Sequence, residues 1–402
     1  MKVLQINATF ANGSTGTIVQ DLQQCCEENG IECHIAYASS RLPQKEIRHG
    51  YKIGNVISNK LHALLARING KQAYFSYLPT LMLLRHIAKI QPDVIHLHNL
   101  HSNYINLNML LRYIAKKNIA TVVTLHDCWY FTGGCFHYTN AKCDRWKHEC
   151  GNCPKKLQDT KAYFLDKSKS ILTDRYKYFQ SIKNLTVVGV SNWIREEGKK
   201  SVFKNSNCIT IHNGIDTDIF KPTPSDFRKQ YGIEDKFVIL GPASKWLSNV
   251  NKQILQLVVD GLEQDMVLVL FGCKESHIEL PKDVIQIGFT ASKEELAKLY
   301  SMADVFVNCT REDSLPTINI EAQACGLPVI SYSNTGATET INIEYGECIM
   351  TGDVDNFFKA IMDIRKSRRA NCSSVLSEWV FSEYNKASNY KKYVDLFNKV
   401  VD

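Results

Sequence analysis

The stretch from Arg311 to Ile330 constrains this chain more than any other. It follows an apolar run, Ala303 to Val307, and leads into a second, Pro328 to Ser331, both of which read as buried strands. The span between them has room for a short helix. Pro316 suits the first helical position, where a missing N–H costs nothing, and Gly326 suits a left-handed residue just past the end. That placement aims the N–H groups near Thr317 and Ile318 beyond the strand end, where phosphate is the natural guest. Asp313 and Glu321 bracket this anion site with carboxylates that accept hydrogen bonds from hydroxyls. A phosphate flanked by polyols describes a nucleotide sugar. The alternative reading is a capped α/β crossover with an acidic first turn.

At 402 residues the chain is long for one core and comfortable for two domains of about 200 each. Hydrophobic residues at 44% and charged residues at 22% are those of an ordinary soluble protein, which argues against disorder. The N-terminus runs from Met1 straight into a strand pattern, and no apolar run reaches the ~18 residues of a membrane span, so a cytoplasmic location is expected. Nine of the 14 cysteines are scattered and read as reduced core residues. The formal charge of +7 permits attraction to anionic lipid or nucleotide, and no nucleic-acid motif accompanies it.

Lys2 to Asn7 reads as a first strand, followed by a glycine-bearing loop, Asn12 to Gly16, that opens a helix from about Thr17 to Asn29. Such a loop makes an anion or sugar pocket, or equally a tight turn with an N-cap; the three-glycine dinucleotide spacing is absent. From Ile53 to Ile90 the chain is rich in Leu, Ile, Tyr and Phe, dotted with Lys60, Arg67, Lys71, Arg85 and Lys89. Two readings stand: a surface helix pair packed on a sheet, or a membrane-surface patch combining basic charge with apolar insertion. His96 and His98 share one strand face, with no acidic or cysteine partner evident to complete a metal site. His126 and Asp127 end the next strand, Thr121 to Leu125, where a histidine suits a ligand pocket.

An aromatic insertion at about 128–154 carries Cys128 and a further group, Cys135, Cys143, Cys150 and Cys153. The last pair has the two-residue gap of a zinc knuckle; the gap between the first pair is wider. A structural zinc, disulfides and free thiols all remain open, and four cysteines around one zinc would leave no position for catalysis. Ile209 to Asp216 reads as a linker, and the polar Lys221 to Pro224 supports a boundary nearby. The expected division is 1–205, 206–381 and an amphipathic C-terminal helix over 382–402.

At Glu321-Ala322 and Cys325-Gly326-Leu327-Pro328-Val329 the chain resembles the family-four retaining glycosyltransferases of the GT-B fold. Their signature is Glu, seven residues, Glu, then Ala and a Cys-Gly-x-Pro-Val segment. Pro316, three residues after the first acid in the family, fixes the register and puts Asp313 where the family has Glu, with Glu312 as a substitute. The order of motifs extends the resemblance over nearly the whole chain. The cysteine insertion is similar to that of a subset that builds bacterial surface polysaccharides such as capsule, O-antigen or exopolysaccharide.

The resemblance implies an α/β architecture of two Rossmann-like domains facing a cleft, with the C-terminal helix crossing back to the first. It implies retaining transfer from a nucleoside diphosphate sugar to a glycan or polyprenyl-linked acceptor, with no catalytic metal or cofactor and peripheral association at the inner face of the membrane. By the same resemblance His126 and Asp313 are catalytic, and Gly13, Ser14, Thr15 and Gly16 approach the donor phosphates and the acceptor. Leu315, Pro316 and Thr317 face the donor sugar and phosphate, and Glu321 the ribose. The family places two cations five residues apart to neutralise the diphosphate, because a departing phosphate gathers charge. Lys245 takes the first position; the second is Val250, and Lys252 is the nearest replacement. Two rivals follow: an epimerase or hydrolase on the same architecture, and a non-catalytic subunit, which the gap at Val250 favours.

Overall fold

The computed structural model describes residues 1–273, 280–281, 284–333, 335–367 and 372–401. The chain divides into two compact units, Met1–Asn213 with the C-terminal segment from Ala387, and Gly214–Lys386. In the first, β1 (Lys2–Phe10), β2 (Glu32–Ser40), β3 (Gly50–Lys52), β4 (Val94–Leu97), β5 (Ala120–Leu125), β6 (Leu185–Gly189) and β7 (Asn207–Thr210) form one sheet in the order β3-β2-β1-β4-β5-β6-β7. In the second, β8 (Phe237–Pro242), β9 (Met266–Phe271), β10 (Val284–Ile287), β11 (Val305–Asn308), β12 (Val329–Tyr332) and β13 (Glu347–Ile349) are ordered β10-β9-β8-β11-β12-β13.

Every named pairing in both sheets is parallel. Parallel strands need crossovers, and helices covering both faces bury the strands throughout, which is why β4, β5, β6, β11 and β12 are mostly apolar with every residue buried. Strand order reverses between β1 and β4 in one sheet and between β8 and β11 in the other. At such a reversal adjacent crossovers leave in opposite directions and open a crevice at the strands' C-terminal ends.

The crossover between β11 and β12 is the helix Thr317–Ala324, as its flanking signals predict, except that Pro316 is the N-cap rather than the first helical residue. Gly326 adopts φ +83°, and a Cβ there would lie 1.9 Å from Ser373 Oγ, so glycine is required both by backbone and by space. The helix after β1 starts earlier than expected, at Gly13 instead of Thr17, so Gly13 to Gly16 form its first turn. The C-terminal region is two helices, Cys372–Tyr384 and Lys386–Val401, where one was expected from Ser382. The second helix packs on the first sheet: Tyr390, Tyr393, Val394, Leu396 and Phe397 share a core with Val3, Val122 and Val188.

Candidate functional site

The crevice of the second unit opens at the C-terminal ends of β8 and β11, and the predicted donor residues flank it. Lys245, half-buried, lies in the short helix Ala243–Trp246 directly after β8, and Lys252, exposed, begins the helix Lys252–Asp260. Asp313, Leu315, Pro316 and Thr317 follow β11. Asp313 shapes its own loop: Oδ1 accepts the Leu315 N–H at 3.1 Å, and its N–H donates to Thr335 Oγ1 at 3.3 Å. The Leu315 amide, expected to face a phosphate, is thereby engaged by a carboxylate. No side chain caps the helix Thr317–Ala324, which leaves its first turn as the anion-seeking end of the crevice. Ser314 Oγ is buried there without a partner among the described residues.

Glu321, half-buried on that helix, accepts the Tyr300 hydroxyl at 3.4 Å. Burial pushes its pKa up to about 7. A carboxyl raised above its ordinary value holds its proton more tightly folded than unfolded, so this group favours the fold at low pH and opposes it as pH climbs from 4.5 toward 7. Only the ionised form is a pure acceptor for two hydroxyls. Nucleotide affinity is therefore expected to weaken as pH falls below about 7, by up to about 10-fold, and Glu321→Gln is expected to abolish that dependence; calorimetric titration from pH 5.5 to 8.5 measures both.

Sequence reasoning missed Asn251 and Arg311. Asn251 is buried; its Nδ2 donates to Lys245 O at 3.0 Å and Cys309 O at 2.9 Å, tying the β8 loop to the end of β11. Arg311 Nε donates to Asn251 Oδ1 at 3.1 Å and its NH2 nitrogen to Val250 O. A guanidinium thus stands at the very backbone position where the spacing of cations failed at Val250. Its distance of 61 residues along the chain hid it from a search for a nearby lysine.

The crevice of the first unit lies at the ends of β1 and β4, beside β5. Gly13 and Ser14 are exposed there, Thr15 is half-buried, and Gly16 is packed so closely that a Cβ would lie 2.9 Å from Thr9 Oγ1. His126, half-buried after β5, pairs with a residue that sequence reasoning set aside: His98 Nδ1 and His126 Nε2 are 3.1 Å apart. His98 Nε2 lies 3.0 Å from Gln5 Oε1, and Gln5 Nε2 donates to Val19 O and Cys33 Sγ, both at 3.3 Å. With the amide so oriented, its oxygen must accept; His98 carries its proton on Nε2, accepts at Nδ1, and His126 donates from Nε2. His126 Nδ1 is left as an acceptor. Burial pushes the His126 pKa down to about 4, against the opposing charge of Asp127, so the ring is neutral at pH 7. Asp127 is itself fixed, 3.2 Å from His101 Nε2 and accepting the Trp129 N–H at 2.8 Å.

His96 carries this row into the core: its ring centroid lies 3.9 Å from that of His98, its Nε2 2.8 Å from Thr124 Oγ1, and its ring against Phe397. Among the described residues the three-residue group close enough to hold a metal is Glu32, His34 and His49, away from both crevices, and Glu32 and His49 are exposed. No helix of the described residues is long and apolar enough to cross a membrane.

Two parallel doubly wound units, each with polar residues gathered at its own strand-order reversal, make up the GT-B architecture. A family model, glycosyltransferase family 4, matches residues 15–219, and a second, glycosyl transferases group 1, matches residues 227–375; the chain belongs to the family 4 glycosyltransferases. It is 25% identical over 368 residues to WcaC of Escherichia coli K12, described as a colanic acid biosynthesis glycosyl transferase, with 88% of each chain covered. Its fold is that of sucrose-phosphate synthase from Thermosynechococcus elongatus (TM-score 0.70, 15% identity, 99% and 98% of the two chains). It is also that of Anabaena HepE, solved with UDP-glucose (TM-score 0.64, 14% identity, 99% and 100% of the two chains).

Proposed function

We propose that this protein is a retaining, metal-independent glycosyltransferase that moves a sugar from a nucleoside diphosphate sugar to a glycan or polyprenyl-linked acceptor in cell-surface polysaccharide synthesis. The observation that carries the reading is the uncapped start of the helix Thr317–Ala324 at the strand-order reversal, with Asp313 and Glu321 on either side. The similarity to WcaC over 88% of both chains supports the polysaccharide class, and the UDP-glucose complex of HepE supports the donor class. In this reading the helix start and Lys245 take the diphosphate, Glu321 the ribose and Asp313 a sugar hydroxyl in the second unit, while the neutral Nδ1 of His126 offers a hydrogen-bond acceptor in the crevice of the first. Arg311, rather than Lys252, is the second cation; it neutralises charge that grows on the phosphate as the glycosidic bond breaks.

No pair of carboxylates is disposed as nucleophile and acid among these residues. The reading therefore follows a front-face course. The bond from the anomeric carbon to the leaving phosphate oxygen breaks, the acceptor oxygen bonds to that carbon on the same face, and the acceptor proton passes to the departing phosphate. Proton NMR of the first product formed, with EDTA present, is expected to show the donor's anomeric configuration. An inverted product, or activity abolished by EDTA, would contradict it.

The helices Val56–Asn69 and Tyr77–Ile90 supply the membrane contact in this proposal. They expose Val56, Ile57 (80%), Leu61, Leu64, Leu78 (67%) and Met82 to solvent, far more apolar surface than scattered single residues require. Residues 47–92 contain no Asp or Glu and seven Lys or Arg, so an anionic bilayer is the complementary partner. Vesicles containing anionic phospholipid are expected to carry the protein in flotation, those of phosphatidylcholine alone not; Ile57→Glu with Leu61→Glu is expected to reduce flotation at least about 10-fold. Equal flotation on both vesicles would remove the membrane contact from the reading.

A further inference from the structure

The aromatic insertion after β5 holds a feature that sugar transfer does not use. Cys135, Cys143, Cys150 and Cys153, all half-buried, line one small cavity of about 20 Å³, room for a single atom or water. The chain is bent to bring them there. Gly134, Lys142 and Asn152, the residues immediately before Cys135, Cys143 and Cys153, all have positive φ (+123°, +46° and +46°). Two of these are not glycine, and the left-handed conformation costs such residues about 1 kcal/mol or more each. Arg145 clamps the last turn by donating to Gly151 O at 2.6 Å and Asn152 O at 2.7 Å, and the Cys153 N–H donates to Asp166 Oδ2 at 2.6 Å.

A second observation concerns the polar groups around the cavity. The cavity wall includes Trp146, which is 1% exposed and whose Nε1 lacks a hydrogen-bond partner among the described residues. Arg175, fully buried over the Trp129 ring, has an unpartnered Nε, and its charge is felt by Cys135 and Cys150. The NH1 nitrogen of Arg175 donates to the carbonyl oxygens of Trp129 and Thr132, which fixes the guanidinium beside the insertion.

We propose that Cys135, Cys143, Cys150 and Cys153 bind one zinc ion that fixes the loop between β5 and the helix Ser168–Phe179. Four Zn–S bonds form as four S–H bonds break, four protons leave to solvent, and no electron is transferred. The centre is a Zn²⁺ with four thiolates, net charge −2, against the Arg175 guanidinium. Zinc–sulfur bonds of about 2.3 Å place tetrahedral sulfurs about 3.8 Å apart. No three of these sulfurs now lie within 4.8 Å of one another, so binding draws the cluster inward onto the cavity. With all four positions filled by protein the ion is structural, and the site is independent of the donor reading.

The test is metal content of the full chain, purified under reducing conditions without chelator, by plasma mass spectrometry alongside intact mass under denaturing conditions. One zinc per chain and fully reduced cysteines are expected. Cys150→Ser with Cys153→Ser is expected to lose the zinc, and Cys208→Ser to keep it. Should the double variant not fold, cobalt added to metal-stripped wild type supplies the second readout, with intense sulfur-to-cobalt charge-transfer absorption expected. A folded chain without zinc, a mass lowered by disulfide formation, iron in place of zinc, or cobalt binding without charge-transfer bands would each overturn the proposal.

Discussion

Asp313→Ala is expected to lower kcat by about 100- to 1000-fold, the loss typical of removing one group that meets charge or hydroxyl only in the transition state. The carboxylate has two separable tasks. One is architectural: Oδ1 holds the Leu315 N–H and so sets the turn that leads into Pro316 and the helix Thr317–Ala324. The other, in the proposed function, is to accept a sugar hydroxyl with full negative charge. Asp313→Asn separates them, because an amide oxygen still accepts the Leu315 N–H but carries no charge. If charge at the sugar matters, Asn is expected to leave the thermal midpoint within about 2 °C of wild type while kcat stays at least about 50-fold down. Asn with wild-type turnover would reduce Asp313 to a loop-shaping residue and return Glu312 to consideration.

The second large effect is expected at His126. With a pKa of about 4 the ring is no cation at neutral pH and a poor base, which leaves acceptance of a hydrogen bond at Nδ1 as its contribution. His126→Ala is expected to cost about 100-fold in kcat/KM, split between a raised KM and a lowered kcat. His98 acts through it. By accepting from His126 Nε2, the buried His98 fixes which nitrogen faces outward, and Gln5 fixes His98 in turn. His98→Phe is expected to keep the fold but release the tautomer, costing about 10-fold and broadening the acid limb of the pH–rate profile. Gln5→Glu is expected to favour protonation along the row and move that limb upward. Unchanged profiles in both variants, beside a large loss in His126→Ala, would separate a failed relay from a failed catalytic role.

Much of this architecture was legible because it rests on local rules. The mostly apolar runs at 94–97, 120–125 and 185–189 have no polar face, which suits only strands covered on both sides. Gly326 announced a helix end because few residues tolerate its φ, and the structure adds the close approach of Ser373 that also demands it. Pro316 was displaced by one position because proline fits both the N-cap and the first turn, and nothing local decides between them.

What escaped depends on sheet register. Val94 pairs with Ala120 and Leu97 with Val123, an offset of 26 residues that carries the ends of β4 and β5 side by side and makes neighbours of His98 and His126. No periodicity within either segment encodes that offset. The same holds for Arg311, which reaches Val250 and Asn251 only because β11 lies beside β8. The cysteines are an intermediate case. Their spacing raised zinc among three outcomes, while the cavity they share and the Trp146 and Arg175 nitrogens beside it became visible only in three dimensions.

The measurement that bears most directly on the central claim is the thermal midpoint of the wild-type protein with UDP-, GDP- and ADP-sugars, each with and without EDTA. A donor at about 100 times its dissociation constant adds about 2.7 kcal/mol to stability, which raises the midpoint by several degrees. The account predicts a rise with one nucleotide class, undiminished by EDTA. A midpoint unmoved by every nucleotide sugar would contradict donor binding at the helix Thr317–Ala324 and favour a non-catalytic chain that keeps the fold alone.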